Sequence, residues 1–260
     1  MPSDDVYLNV GMPSHLTSIG FPAISKEDAM AVIQRAAREG LPIPSPKGEY
    51  VLWAPGGGPE LWVQIETKQR GQRTLAGFHP HFRGQARMNF GATGAKASEA
   101  YPLEGVLYGW VDPEDENPES GAFPISLDVP DFELAMANVT FPRNVDIQVA
   151  AFAHTATCFL DQEALARDGL KMGGPGMAAK SFIPLGAFKG QQPSTGLFCG
   201  EILEAEVKIN PATGGTYQHL LVETLGGQID VVADLTVLTG ETRIGGIVQC
   251  EGWLSARLAM

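Results

Sequence analysis

Apolar residues in the stretch 25–38, SKEDAMAVIQRAAR, recur at helical spacing: Met30, Ile33 and Ala37 form a stripe that Ala29 and Ala36 widen. Ser25 suits an N-cap, and Glu27 and Asp28 suit the positive end of the helix dipole. Gly40, followed by Pro42, Pro44 and Pro46, stops the helix. Around this helix the period changes from 3.6 to 2. HLTSIGF (15–21), EYVLWA (49–54), ELWVQIE (60–66) and TLAGFHPHF (74–82) read as strands, with PGGGP as a turn between the second and third. Within ELWVQIE, Leu61, Val63 and Ile65 share one face, and Trp62, Gln64 and Glu66 share the other.

Further along, EGVLYGWV, GAFPISLDV and the long apolar run NVDIQVAAFAHTATCFL read as strands. DQEALARDG reads as a short helix capped by Asp161 and ended by Gly169. Between the first two of those strands, DPEDENPES (112–120) carries five acids and two prolines and reads as a linker. From Cys199 the alternation is clearest: Leu203, Ala205, Val207 and Ile209 alternate with Glu204, Glu206 and Lys208, and glycine-rich turns separate the runs that follow. Such spacing predicts an antiparallel meander, open or closed into a small barrel. The expected fold is α+β, predominantly β. A βαβββ-type part covers 1–111, the acidic linker 112–120, and a β-rich part 121–260 with its meander from 199. In the length and order of its strands this tail resembles an oligonucleotide/oligosaccharide-binding barrel.

Composition narrows the functions. The 260 residues carry a formal charge of −12, with 18 basic against 30 acidic side chains. That balance repels a phosphate backbone and an anionic bilayer, so neither nucleic acid nor membrane is an expected partner. The cluster Lys68, Arg70, Arg73, Arg83 and Arg87 leaves room for a small anion, although a solvated face is the simpler account of it. No apolar run is long enough to span a bilayer, and the start MPSDDVYLNVG lacks the pattern of a signal peptide. Three cysteines far apart in sequence, Cys158, Cys199 and Cys250, fit reduced buried thiols in a cytoplasmic protein.

Candidate chemistry gathers at LAGFHPHFR, where His79 and His81 point to the same side of a strand that Pro80 marks as an edge or a bulge. The strand-helix-strand-strand-strand order of the first eighty residues resembles half of a vicinal-oxygen-chelate (glyoxalase-like) unit. In that family the metal ligands come from the first and last strands of a module. The resemblance implies His15, His79 or His81, with Glu66 as an addition, around a divalent metal. Imidazole and carboxylate suit Zn, Fe or Mn. Trp53, Trp62, Trp110 and Phe78, with Arg83 at the mouth, form a second possibility: an aromatic ligand pocket. Other motifs fail. GPGMAAKS (174–181) departs from a phosphate-binding loop at Ala179 and meets Pro184 where a helix should run. There is no G-x-S-x-G elbow and no C-x-x-C pair. His154 and Cys158 share a strand face about 13 Å apart, too far for an ion pair.

Two functions remain from this reading. One is a non-catalytic small-ligand-binding or assembly module, with a homo-oligomer formed through exposed sheet edges. The alternative is a metal-dependent glyoxalase-like enzyme acting on a small anionic substrate.

Overall fold

The structure, a computed structural model, describes residues 14–67, 72–99, 101, 103–169, 176–188, 190 and 192–259. The chain start, Lys68 and Arg70 of the basic cluster, and the first two residues of GPGMAAKS lie outside the described residues. Helix α1 (Lys26–Glu39) is followed by β1 (Leu41–Ser45), β2 (Gly48–Trp53), β3 (Pro59–Thr67) and β4 (Arg73–Phe82). Then come β5 (Met88–Ala97), β6 (Gly105–Val111), β7 (Phe123–Asp128), the short α2 (Phe132–Met136) and β8 (Arg143–Phe159). After α3 (Gln162–Asp168) follow β9 (Ser181–Ile183), β10 (Thr195–Ile209), β11 (Thr216–Thr224), β12 (Gly227–Ala233), β13 (Leu238–Thr239) and β14 (Ile247–Leu258). The protein is α+β and predominantly β, and no helix among the described residues is long and apolar enough to cross a membrane.

Strands β1 to β4 form an antiparallel sheet in chain order. The remaining strands form one larger sheet whose pairings close two rings with a common wall, the long strands β8 and β14. One ring runs β8, β14, β10, β11, β12; the other runs β8, β5, β6, β7, β14. The second closes through the single bridge Ser255↔Asp128. Closure removes edges that would otherwise template aggregation. Alternate residues of the shared wall point to two interiors. Ile147, Val149, Ala151 and Ala153 of β8 join the barrel core with Val248, Cys250, Leu254 and Ala256 of β14. The intervening Ala150, Phe152 and Trp253 face outward into a second core. That cluster runs on through Leu16, Ile19 and Phe21 to α1 and to Leu61, Val63 and Ile65 of β3.

Local chemistry explains where expectation held. The Ser25 side chain accepts from Asp28 N–H while Asp28 reaches back to the Ser25 N–H, a reciprocal capping box. The buried stripe is Ala29, Val32, Ile33 and Ala36, so the helix is turned from the expected face, and Met30 and Ala37 are exposed. Asp161 caps α3 through Ala164 N–H. The strands expected at 104–111, 121–129 and 144–160 are all present, as β6, β7 and β8.

Some expectations are corrected. HLTSIGF is a 3₁₀ turn at Thr17–Ile19, because Ser14 accepts from Thr17 and Ser18 while Gly20 takes a left-handed conformation (φ 75°). α1 ends before Gly40 and the prolines, as expected, but the next residues form an unexpected strand: Pro42 and Pro44 lie on β1, an edge strand where a missing N–H costs nothing. The acidic stretch 112–120 is the turn between β6 and β7, which pair along their whole length. Residues 88–111 therefore belong to the larger sheet, and the change of sheet falls at 83–87. The tail does form the meander β10–β11–β12, but it closes only by borrowing β8, to which β12 is parallel.

Candidate functional site

Strands β3 and β4 present opposite chemistry on their two faces. In register, Trp62 lies opposite His79 and Glu60 opposite His81, so these four side chains share the face turned toward the β8–β14 wall. Outward positions of the barrel meet them: Gln148 on β8, Ser255 and Arg257 on β14, Asp230 on β12 and His219 on β11. The result is a buried polar seam between two apolar cores, in which His79, His81, Gln148, His219, Asp230 and Ser255 are all buried.

The seam is one continuous chain of hydrogen bonds. His79 Nε2 and His81 Nδ1 both meet Ser255 Oγ, at 3.1 and 2.8 Å. His81 Nε2 meets Gln148 Oε1 at 2.9 Å, and Gln148 Nε2 donates to Asp230 Oδ2 at 2.9 Å. Asp230 also accepts from His219 Nε2 and from the backbone N–H groups of Gln85 and Ala86. The loop 83–87 presses so close that a Cβ on Gly84 would sit 2.1 Å from the Asp230 carboxylate. Beside this chain, Arg257 pairs with Asp131 at 2.9 Å and with Glu60 at 3.4 Å, and its guanidinium lies 4.8 Å from the centre of the Trp62 ring. Trp62 in turn donates to Glu60 Oε2.

At one end the seam opens into a cleft of about 400 Å³, lined by His79, Lys96, Ser98, Glu104, Tyr108 and Asp128 among others. Asp128, at the end of β7, accepts from Trp253 Nε1 at 2.5 Å and from Ser194 Oγ at 3.1 Å. The Trp253 ring packs against His79 with centroids 4.8 Å apart. Burial raises the Asp128 carboxyl to about 6. Burial, with the Asp128 charge added, raises Glu104 to about 7. Burial lowers His79 to about 3, so its imidazole stays neutral. The cleft thus joins an uncharged base to a carboxylic acid that keeps its proton until neutrality, groups suited to accepting hydrogen bonds and exchanging protons.

The residues expected as metal ligands are distributed along this arrangement. His79 and His81 share Ser255. His15 stacks on Trp253 with centroids 4.5 Å apart and meets His154 with Nε2 atoms 3.1 Å apart. Glu66 is level with Thr74, five positions along β4 from His79, and is not brought to the histidines. Among the described residues, no three His, Cys, Asp or Glu side chains are arranged to hold a metal ion. The aromatic set is dispersed: Trp53 packs under α1 with Arg35, Trp62 faces the seam, Phe78 joins the helix-side core, and Trp110 lines a separate groove. Arg83 is exposed, with Nε 3.4 Å from Glu60 Oε1. His154 meets His15 rather than Cys158, and the three thiols are free and buried.

Sequence reasoning missed Gln148, Asp230 and Ser255, and the cleft carboxylates Glu104 and Asp128. A signal existed for the first three. Each is a polar residue inside a run of buried strand residues, which argues for an organised partner on the second face. No protein-family model, curated protein or solved structure matches the chain.

Proposed function

We propose that this protein is a small-ligand-binding module whose site is the cleft at the end of the histidine seam. The observation that carries this reading is the convergence of His79, Glu104 and Asp128 on one hollow of about 400 Å³, a size suited to a small molecule. Three separate segments supply them: β4, the residue before β6, and the end of β7. His79 and Asp128 are backed by Ser255, Ser194 and Trp253, and Glu104 is half-buried beside them. A polar group buried to this degree is costly unless something hydrogen-bonds it, and a bound ligand would supply partners.

Calorimetric titration against a panel of small amines, alcohols and carboxylates tests the reading. Binding by the native protein, weakened at least tenfold by Glu104→Gln, is the expected result. A Glu104→Gln variant that binds the same compound with unchanged affinity would place the site elsewhere.

A further inference from the structure

The hydrogen-bond chain behind the cleft has only one consistent direction. The Asp230 carboxylate can only accept, so the Gln148 amide turns its NH₂ toward it and its oxygen toward His81. An amide oxygen likewise only accepts, so His81 carries its proton on Nε2. His81 is held neutral by burial, which leaves a lone pair on Nδ1. Ser255 has one hydroxyl proton and gives it to that lone pair. Its oxygen then accepts from His79, whose proton must sit on Nε2. The imidazole bordering the cleft therefore has its only donor engaged by Ser255, and Nδ1 is its remaining polar atom.

The Glu104 carboxylate is seated beside Gln64 and Gly77. Gln64 is fully buried, and neither atom of its amide has a hydrogen-bond partner. Its Oε1 lies 2.7 Å, and Glu104 Oε1 lies 2.8 Å, from the place where Gly77 would carry a Cβ. The absence of a Cβ at Gly77 lets the Gln64 and Glu104 oxygens close on the β4 backbone, and any side chain there would displace them. Lys96, the basic residue of the cleft lining, is within 3.5 Å of Glu99, so its charge is locally offset.

We infer that the cleft selects a protonated amine: the one-way chain anchored at Asp230 makes His79 an acceptor, and the carboxylates of Glu104 and Asp128 in the same lining add further acceptors. This rests on the reading of the cleft as a ligand site and specifies what it takes. An ammonium group has three N–H donors and no acceptor, matching a lining rich in oxygens and a lone pair.

Two measurements test it on the full-length protein. Long-range ¹H–¹⁵N correlation spectra report the tautomer of each histidine. His79 and His81 are expected with protons on Nε2, and Ser255→Ala is expected to abolish that preference at His79. Calorimetry then compares ethanolamine and 1,4-diaminobutane with ethylene glycol and glycolate at pH 8. The amines are expected to bind at least tenfold more tightly than the diol or the carboxylate. Gly77→Ala should remove that advantage, because its methyl would push aside the Glu104 carboxylate, whose Oε1 lies 2.8 Å from that position. Retained circular dichroism would show that the variant folds. A His79 proton on Nδ1, or an amine advantage unchanged in Gly77→Ala, overturns the inference. Equal or better binding of the diol or the carboxylate also overturns it, yet leaves the cleft standing as a binding site. If no probe binds, the cleft reading itself falls and the inference falls with it.

Discussion

Burial of imidazoles and carboxyls in one seam makes acid–base behaviour a property of individual residues. His15, His79, His81 and His154 are all held below the ordinary histidine range, by burial first and, at His15, by neighbouring His154 and His79. The unfolded chain protonates these groups near 6.5, whereas the native protein resists. Between pH 6.5 and about 3 the unfolded state therefore binds more protons, and stability falls as pH falls. A fully buried histidine such as His79 contributes on the order of 1.4 kcal/mol per pH unit across that window. Glu104 and Asp128 act in the opposite sense. Their carboxyls are raised to about 7 and about 6, so native protons are lost as pH rises and stability declines through that range. Urea unfolding of the native protein and of Glu104→Gln at pH 4.5, 6 and 8 separates the two effects. Stability of both should fall toward pH 4.5, and the advantage of Glu104→Gln should widen from pH 4.5 to 8. A constant difference would show that Glu104 titrates in the native protein as it does in the unfolded chain.

At the scale of elements, each strand near the site serves two interiors because its side chains alternate. On β8, Ile147, Val149, Ala151 and Ala153 fill the barrel while Gln148, Ala150, Phe152 and His154 face the other layer. Helix α1 covers the far face of β2 and β3, and its start is fixed by the Ser25–Asp28 capping box. Ser25→Ala removes the acceptor for an orphan N–H and should lower stability by about 1 kcal/mol. Because α1 lies across the small sheet from the seam, the same variant should leave the histidine tautomers unchanged. Chemical denaturation with parallel nitrogen-detected spectra checks both halves. A cost near zero would mean that packing of Val32 and Ile33 alone holds the helix end.

For the whole molecule, the consequence of the shared layer is cooperativity. The second core draws Leu16, Ile19 and Phe21, the face of α1, three residues of β3, and Phe152, Tyr217, Val232 and Trp253 of the barrel into one cluster. The polar seam adds hydrogen bonds between the same two sheets. Separating them would expose both an apolar cluster and a row of buried polar groups, so the two sheets should unfold together. Thermal unfolding followed by far-ultraviolet dichroism and by tryptophan fluorescence is expected to give coincident single transitions. Two separated transitions would show that 14–82 folds independently of the barrel.

Sequence alone determined what short-range physics decides. The limits and cap of α1, the capped start of α3, the two-faced pattern of β3 and the meander from Cys199 were legible because spacing and local hydrogen bonding settle them. It also placed His79 and His81 on one side of one strand. What spacing does not carry is the choice of partner across a gap. β8 and β14 pair although nearly a hundred residues separate them, and that pairing brings Ser255 and Gln148 against His79 and His81, while β12 beside β8 brings Asp230 to Gln148. The turn at 15–21 went to local caps instead of its alternation, and the edge strand β1 formed despite its prolines. The cleft itself belongs wholly to tertiary structure, since Glu104 and Asp128 acquire their character only from burial beside each other. A side chain's reach and period are written locally, whereas the group it desolvates against is set by the closing of the sheet.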